Sequence, residues 1–221
     1  MNTEAEDLFE QFCAQRQIDC RRVPEGAERT PDYEIVLGGV TVAIEVKQLE
    51  PNDNDRKFFE ELRTKGRAGG GVNMGRAKSA ILDGVKQLRI FAKGRTPAVV
   101  LLHDTMGFAR GYLDPYSLAY CLYGPEKVHY SVASDPSLDC ECLGMSRGGG
   151  SLATVKHNTT LSALAVLNRS GPNGPLEVVV YHNIHAAIPL GPGQCASHGI
   201  RQYKFAAPRE GQMPEWVECD P

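Results

Sequence analysis

The sequence has no apolar run approaching the roughly 18 to 20 residues that cross a bilayer. Its opening, MNTEAEDLFEQF, is acidic and amphipathic, unlike a secretory signal. A cytoplasmic protein is the expectation. It also has no CxxC pair, no GK[ST] ending to a glycine-rich loop, no serine or cysteine in a nucleophile elbow and no internal repeat. These absences argue against a zinc ribbon, a P-loop nucleotide cradle, a triad hydrolase and a solenoid. The seven cysteines are odd in number and scattered, which fits reduced thiols better than a disulfide framework. Cys140-Glu-Cys142 and Cys195-Ala-Ser-His198 resemble fragments of a zinc ligand set, but the other spacings are irregular, and buried or loop thiols are the simpler reading.

What is present is a 221-residue chain, 42% hydrophobic and 23% charged, enough for one sizeable core. The net charge is −3, but between Arg56 and Arg95 eleven basic residues face three acidic ones. One cationic face that could meet phosphates follows from that asymmetry.

Residues 4 to 17 carry Ala5, Leu8, Phe9, Phe12 and Cys13 at helical spacing, and Thr3 with Glu6 forms a capping box. Strands follow at 33 to 37 and 40 to 47, joined by Gly38-Gly39. Pro51 and NDND end the second strand. The basic, glycine-rich 63 to 76 reads as a mobile loop, and a second helix runs from 75 to 93 with Ala77, Ile81, Leu82, Val85, Leu88 and Phe91 inward. Pro97 opens AVVLLHD, a strand buried on both faces. A short helix at 115 to 123, a Gly/Ser/Cys-rich stretch at 134 to 151 and a hairpin pairing 161 to 168 with 176 to 182 complete an α/β order with a mixed sheet.

The first hairpin concentrates the chemistry. With Gly38-Gly39 as its turn, Leu37 faces Val40, Ile35 faces Val42 and Tyr33 faces Ile44, giving one apolar face. The same register sets Asp32 opposite Glu45 on the other face, with Lys47 two residues further on. Directly opposed side chains have Cβ atoms about 4.5 to 5.5 Å apart, and two carboxylates so placed repel unless a cation lies between them. Mg²⁺ suits that position, and water polarised beside Lys47 would attack a phosphodiester.

Pro31-Asp32, thirteen residues, then Glu45-Val46-Lys47, behind an acidic N-terminal helix, resembles the PD-(D/E)xK nuclease superfamily. Arg22-Val23-Pro24 and the IEVKQ ending are similar to Holliday-junction resolvases and related bacterial nucleases. The resemblance covers about residues 4 to 105. It implies a restriction-endonuclease-like core with a central mixed β-sheet flanked by helices, here residues 1 to 105 of a single domain. Residues 106 to 221 would be a β-rich C-terminal extension with the second hairpin. It further implies a Mg²⁺-dependent endonuclease (Mn²⁺ possible), acting on nucleic acid, most of all DNA, and a homodimer if it breaks both strands. By the resemblance Asp32 and Glu45 are metal ligands, joined by Glu6 or Glu10 from the first helix, and Lys47 positions or activates the attacking water. Glu6 serves equally well as the capping-box residue, and Gln48 points toward the core side. Arg76, Lys78, Lys86, Gln87 and Arg89 would touch the nucleic-acid backbone, contacts that position without reading sequence. Two other functions compete: a catalytically inactive nucleic-acid-binding or scaffold protein on the same fold, and a zinc-stabilised interaction module built on the later Cys and His residues. His103-Asp104 and the Tyr181, His182, Asn183, His185 group read as satisfied structure rather than as a second centre.

Overall fold

The computed structural model describes residues 2–24, 26, 29–69, 74–92, 94–106, 112–132, 139–169, 171, 174–206 and 214–219. In chain order they form α1 (Glu4–Gln15), β1 (Asp19–Arg22), β2 (Tyr33–Leu37), β3 (Val40–Leu49), α2 (Asp53–Lys65), α3 (Met74–Ala92) and β4 (Ala98–Asp104). Then come α4 (Pro115–Tyr123), β5 (Glu126–Ser131), β6 (Glu141–Arg147), β7 (Leu161–Arg169), β8 (Leu176–His182), α5 (Pro192–Ala196), β9 (Arg201–Phe205) and β10 (Trp216–Glu218).

Eight strands make one mixed sheet in the order β1-β2-β3-β4-β7-β8-β9-β10, while β5 and β6 form a separate antiparallel pair. The chain is an α/β protein. At the centre β3, β4 and β7 run parallel, and β2 and β8 flank them antiparallel. A parallel centre has both faces covered, and β4 accordingly sends Val99 and Leu101 into one core and Val100 and Leu102 into the other. Leu8, Phe9 and Phe12 of α1 fill the first core; Ala77, Ile81, Val85 and Leu88 of α3 fill the second, with Leu118 and Leu122 of α4. The sheet is thus sandwiched between helical layers.

The β2–β3 register is the expected one, Leu37 with Val40 through Tyr33 with Ile44. Gly38 and Gly39 have φ of +53° and +80°, the left-handed pair that a two-residue turn requires. The capping box on α1 forms, with the Thr3 side chain accepting from the Glu6 N–H and the Glu6 carboxylate accepting from the Thr3 N–H.

Several expectations are corrected. Residues 53–65, read as a polar strand ending and the start of a loop, form α2, capped by a reciprocal Asn52–Asp55 box and closed by Gly66 in a left-handed conformation. Of the glycine-rich loop, 70–73 lie outside the described residues, as do Lys93, 134–138 of the Gly/Ser/Cys-rich stretch, and 170 and 172–173 in the second turn. β5, β6, the edge strands β1 and β10, and β9 between β8 and β10 add to the expected order. The second hairpin lies directly beside β4, so the C-terminal strands continue the central sheet. Among the described residues no helix is long and apolar enough to cross a membrane.

Candidate active site

β3 carries two of the three central groups. Alternation along the strand turns Val46 toward the α1 core and Glu45 and Lys47 toward α3. The strand ladder ends at Tyr33–Ile44, so Asp32 stands one residue beyond it, in a bend rather than in a paired strand. Its backbone carbonyl accepts from the Val23 N–H at 2.9 Å, and its carboxylate accepts from the Val46 N–H at 2.8 Å. Those two bonds fix it beside Glu45 more firmly than strand register alone would.

Glu45 is fully buried. Lys47 Nζ pairs with its Oε1 at 2.6 Å, and the Asp32 backbone lies beside the same carboxylate. Burial pushes the Glu45 carboxyl up to about 7; Lys47 pulls it down, and the neighbouring Asp32 charge adds to the rise. Burial also raises Asp32, against the Val46 N–H and Lys47.

The Lys47 side chain keeps 24% of its surface exposed, and its ammonium donates to Gln87 Oε1 at 2.8 Å. Gln87, expected at the nucleic-acid backbone, therefore orients the lysine from α3. The helix comes this close because of Gly84. A Cβ there would lie 2.8 Å from Val100 Cγ2 and 3.3 Å from Glu45 Cγ. Gly84 escaped the sequence reading, although a glycine inside a helical apolar pattern is itself a signal of close packing.

Glu6 and Glu10 separate clearly. The Glu6 carboxylate accepts from Thr3 at one oxygen and pairs with Arg22 at 2.6 Å through the other, and its charge is felt at Asp32. Glu10 is half exposed and accepts from the Tyr33 hydroxyl at 2.7 Å. Glu6 is the nearer acid electrostatically, but Arg22, a residue the spacing did not single out, holds it. Gln48 plays the structural part expected of it, accepting the Ala5 N–H at 2.7 Å and so tying the first turn of α1 to β3.

No family model matches the chain, and no curated protein or solved structure matches it either. The site is read from its own geometry.

Among the described residues no group of three or more His, Cys, Asp or Glu is placed to hold a metal ion. Asp32 and Glu45 are the two carboxylates at the centre, neighbours by their mutual charge effect, and their oxygens are hard donors that fit a divalent cation. Two carboxylates suit Mg²⁺, which keeps several waters of its own. The cysteines form no such set: Cys140 and Cys142 are exposed, and Cys195 is buried.

The basic side chains divide. Arg76 is bound to Asp55 at 2.6 Å, to the Glu50 carbonyl and over the Tyr112 ring, and Lys78 donates to the Gly150 carbonyl at 2.9 Å over Tyr120. Both hold the protein together. Lys86 and Arg89 lie exposed on α3, where Lys86 pairs with Asp83 and Arg89 donates to Asn158. His103 and His182 face the Leu167 carbonyl and Gln202 inside the fold, at 3.0 Å each.

Proposed function

We propose that this chain is a divalent-metal-dependent nuclease hydrolysing phosphodiester bonds, a DNA endonuclease above all, of the PD-(D/E)xK kind. The observation that carries the reading is the fully buried Glu45 carboxylate, its pKa raised by burial and by the Asp32 charge beside it, and paired at 2.6 Å with the partly exposed Lys47. Folding alone gives no reason to bury an ionisable group beside a second acid.

Asp32 and Glu45 would hold Mg²⁺ or Mn²⁺, with Glu6 the nearest further acid. Bound there, the cation neutralises the carboxylates, polarises a phosphoryl oxygen and makes water acidic. The chain's own contribution is positional. The Val46 N–H fixes Asp32, and α3, brought close at Gly84, keeps bulk water from Glu45. Gln87 aims the partly exposed Lys47 ammonium, which would orient the attacking water and offset charge gathering on the phosphate. Lys86 and Arg89 would exchange their surface partners for backbone phosphates.

One observation favours the second reading, a nucleic-acid-binding scaffold without catalysis: Lys47 already has protein partners in Glu45 and Gln87. Supercoiled plasmid, linear duplex, single strands, a four-way junction and RNA, each with Mg²⁺ or Mn²⁺, separate the two. Cutting that needs the metal and disappears in Lys47→Ala and Asp32→Ala supports the nuclease. Absence of cutting, with salt-sensitive binding unchanged by either substitution, supports the scaffold.

A further inference from the structure

On the far side of α1, the helix ends at Gln15 and the chain reverses through Gln17, a non-glycine residue at φ +54°, before entering β1. That turn brings Cys13, on the buried face of α1, against Cys20 of β1. α1 and β1 pack directly on each other there, and each thiol shifts the pKa of the other. Cys13 is 1% exposed, whereas Cys20 is partly exposed and packs on the same core. Both line an open cavity of about 430 Å³, together with Glu10, Asp19, Arg22 and Tyr33.

We propose that Cys13 and Cys20 are a reversible dithiol–disulfide pair linking α1 to β1. The inference is independent of the nuclease reading. Accessibility assigns the roles: Cys20 meets the oxidant and Cys13, behind it, resolves the adduct. With a small-molecule disulfide such as glutathione disulfide, the Cys20 thiolate attacks one sulfur and expels one glutathione thiolate. The Cys13 sulfur then attacks Cys20 of the mixed disulfide and expels the second. The protons of the two protein thiols end on the two released glutathiones, so two thiols and one disulfide become one disulfide and two thiols. Cys13 beside it holds the Cys20 thiol below its ordinary pKa, which favours the attacking thiolate. The other buried thiols lack this arrangement: burial pushes Cys121 up to about 11 and Cys195 up to about 12. Closing the pair would tie together the two elements that carry Glu6 and Arg22, the ion pair beside Asp32.

The test uses the full chain, reduced and then exposed to glutathione disulfide, with remaining thiols alkylated in denaturant before unreduced tryptic digestion. Arg16 lies between the two cysteines, so their bond joins two separate tryptic peptides. The expected result is a Cys13–Cys20 linked pair that dithiothreitol dissolves, with Cys121 and Cys195 recovered as alkylated thiols. In Cys13→Ser, Cys20 should instead accumulate as the glutathione adduct. Full alkylation of Cys13 and Cys20 after oxidation, arrest of the wild type at the Cys20 adduct, or a bond from Cys20 to any other cysteine would overturn the proposal. The wild-type digest decides the matter even if the variant does not fold.

Discussion

Glu45 has an acid's charge in a position built for an apolar side chain, between Val100 and the glycine of α3. Burying it costs desolvation and repulsion from Asp32, which its pairing with Lys47 offsets. Glu45→Gln removes the charge, keeps the shape and frees Lys47 to reach solvent. Without divalent ions, loss of the Lys47 pair and relief of the burial and repulsion costs should nearly cancel, leaving the variant within about 1 kcal/mol of the wild type by urea unfolding. Gly84→Ala should go the other way: alanine is the better helix former by about 1 kcal/mol, but the 2.8 Å approach to the fully buried Val100 makes overpacking win, for a net loss of about 1–3 kcal/mol. His182 offers a pH test away from the site. Burial lowers its pKa from the ordinary value of 6.5, against its bond to Gln202. Below 6.5 the unfolded chain therefore takes up a proton that the folded one refuses, and stability falls as pH drops toward the folded pKa. The wild type should lose more stability than His182→Gln between about pH 7.5 and 5.5, read from urea midpoints at both values.

At the scale of elements, most of what positions the site was legible, because it follows from alternation and turn chemistry. The β2–β3 register, the both-face burial of β4, the apolar stripe of α3 and the capping box of α1 are each consequences of local periodicity. What escaped has physical reasons too. Among its described side chains only Asp55 of α2 is buried, so that helix shows almost no apolar stripe, and its box uses Asn and Asp in place of the usual Ser/Thr and Glu/Gln. β1, β5 and β6 are exposed along most of their length and lack the buried alternation that marks a strand. Within the site, Glu45 and Lys47 follow from alternation along β3 and Asp32 from its spacing to them, whereas the bonds that fix Asp32 beyond the ladder and the closures by Gln87 and Arg22 depend on how β1 and α3 dock, which no local pattern states. The docking of α2 is itself testable. Asp55 joins its first turn to Arg76 and to the Tyr112 hydroxyl at 2.8 Å. Asp55→Ala should destabilise the protein by about 3–5 kcal/mol, since it leaves the Arg76 charge without its partner. Hydrogen exchange should show α2 losing protection first.

For the molecule as a whole, an overall charge of −3 and a basic central stretch predict binding that is local and strongly dependent on salt. Because Arg76 and Lys78 are held within the fold, the exposed Lys86 and Arg89 are the ones whose loss should show. Replacing each with Gln should weaken nucleic-acid binding evenly across sequences and reduce the salt slope by about 1 per residue, measured by titration at several ionic strengths. The measurement that bears most directly on the whole account is nicking of supercoiled plasmid with Mg²⁺ or Mn²⁺ by the wild type beside Glu45→Gln, a variant expected to be folded. The account predicts metal-dependent nicking that falls by at least about 100-fold in the variant. Equal nicking by the two proteins would contradict it.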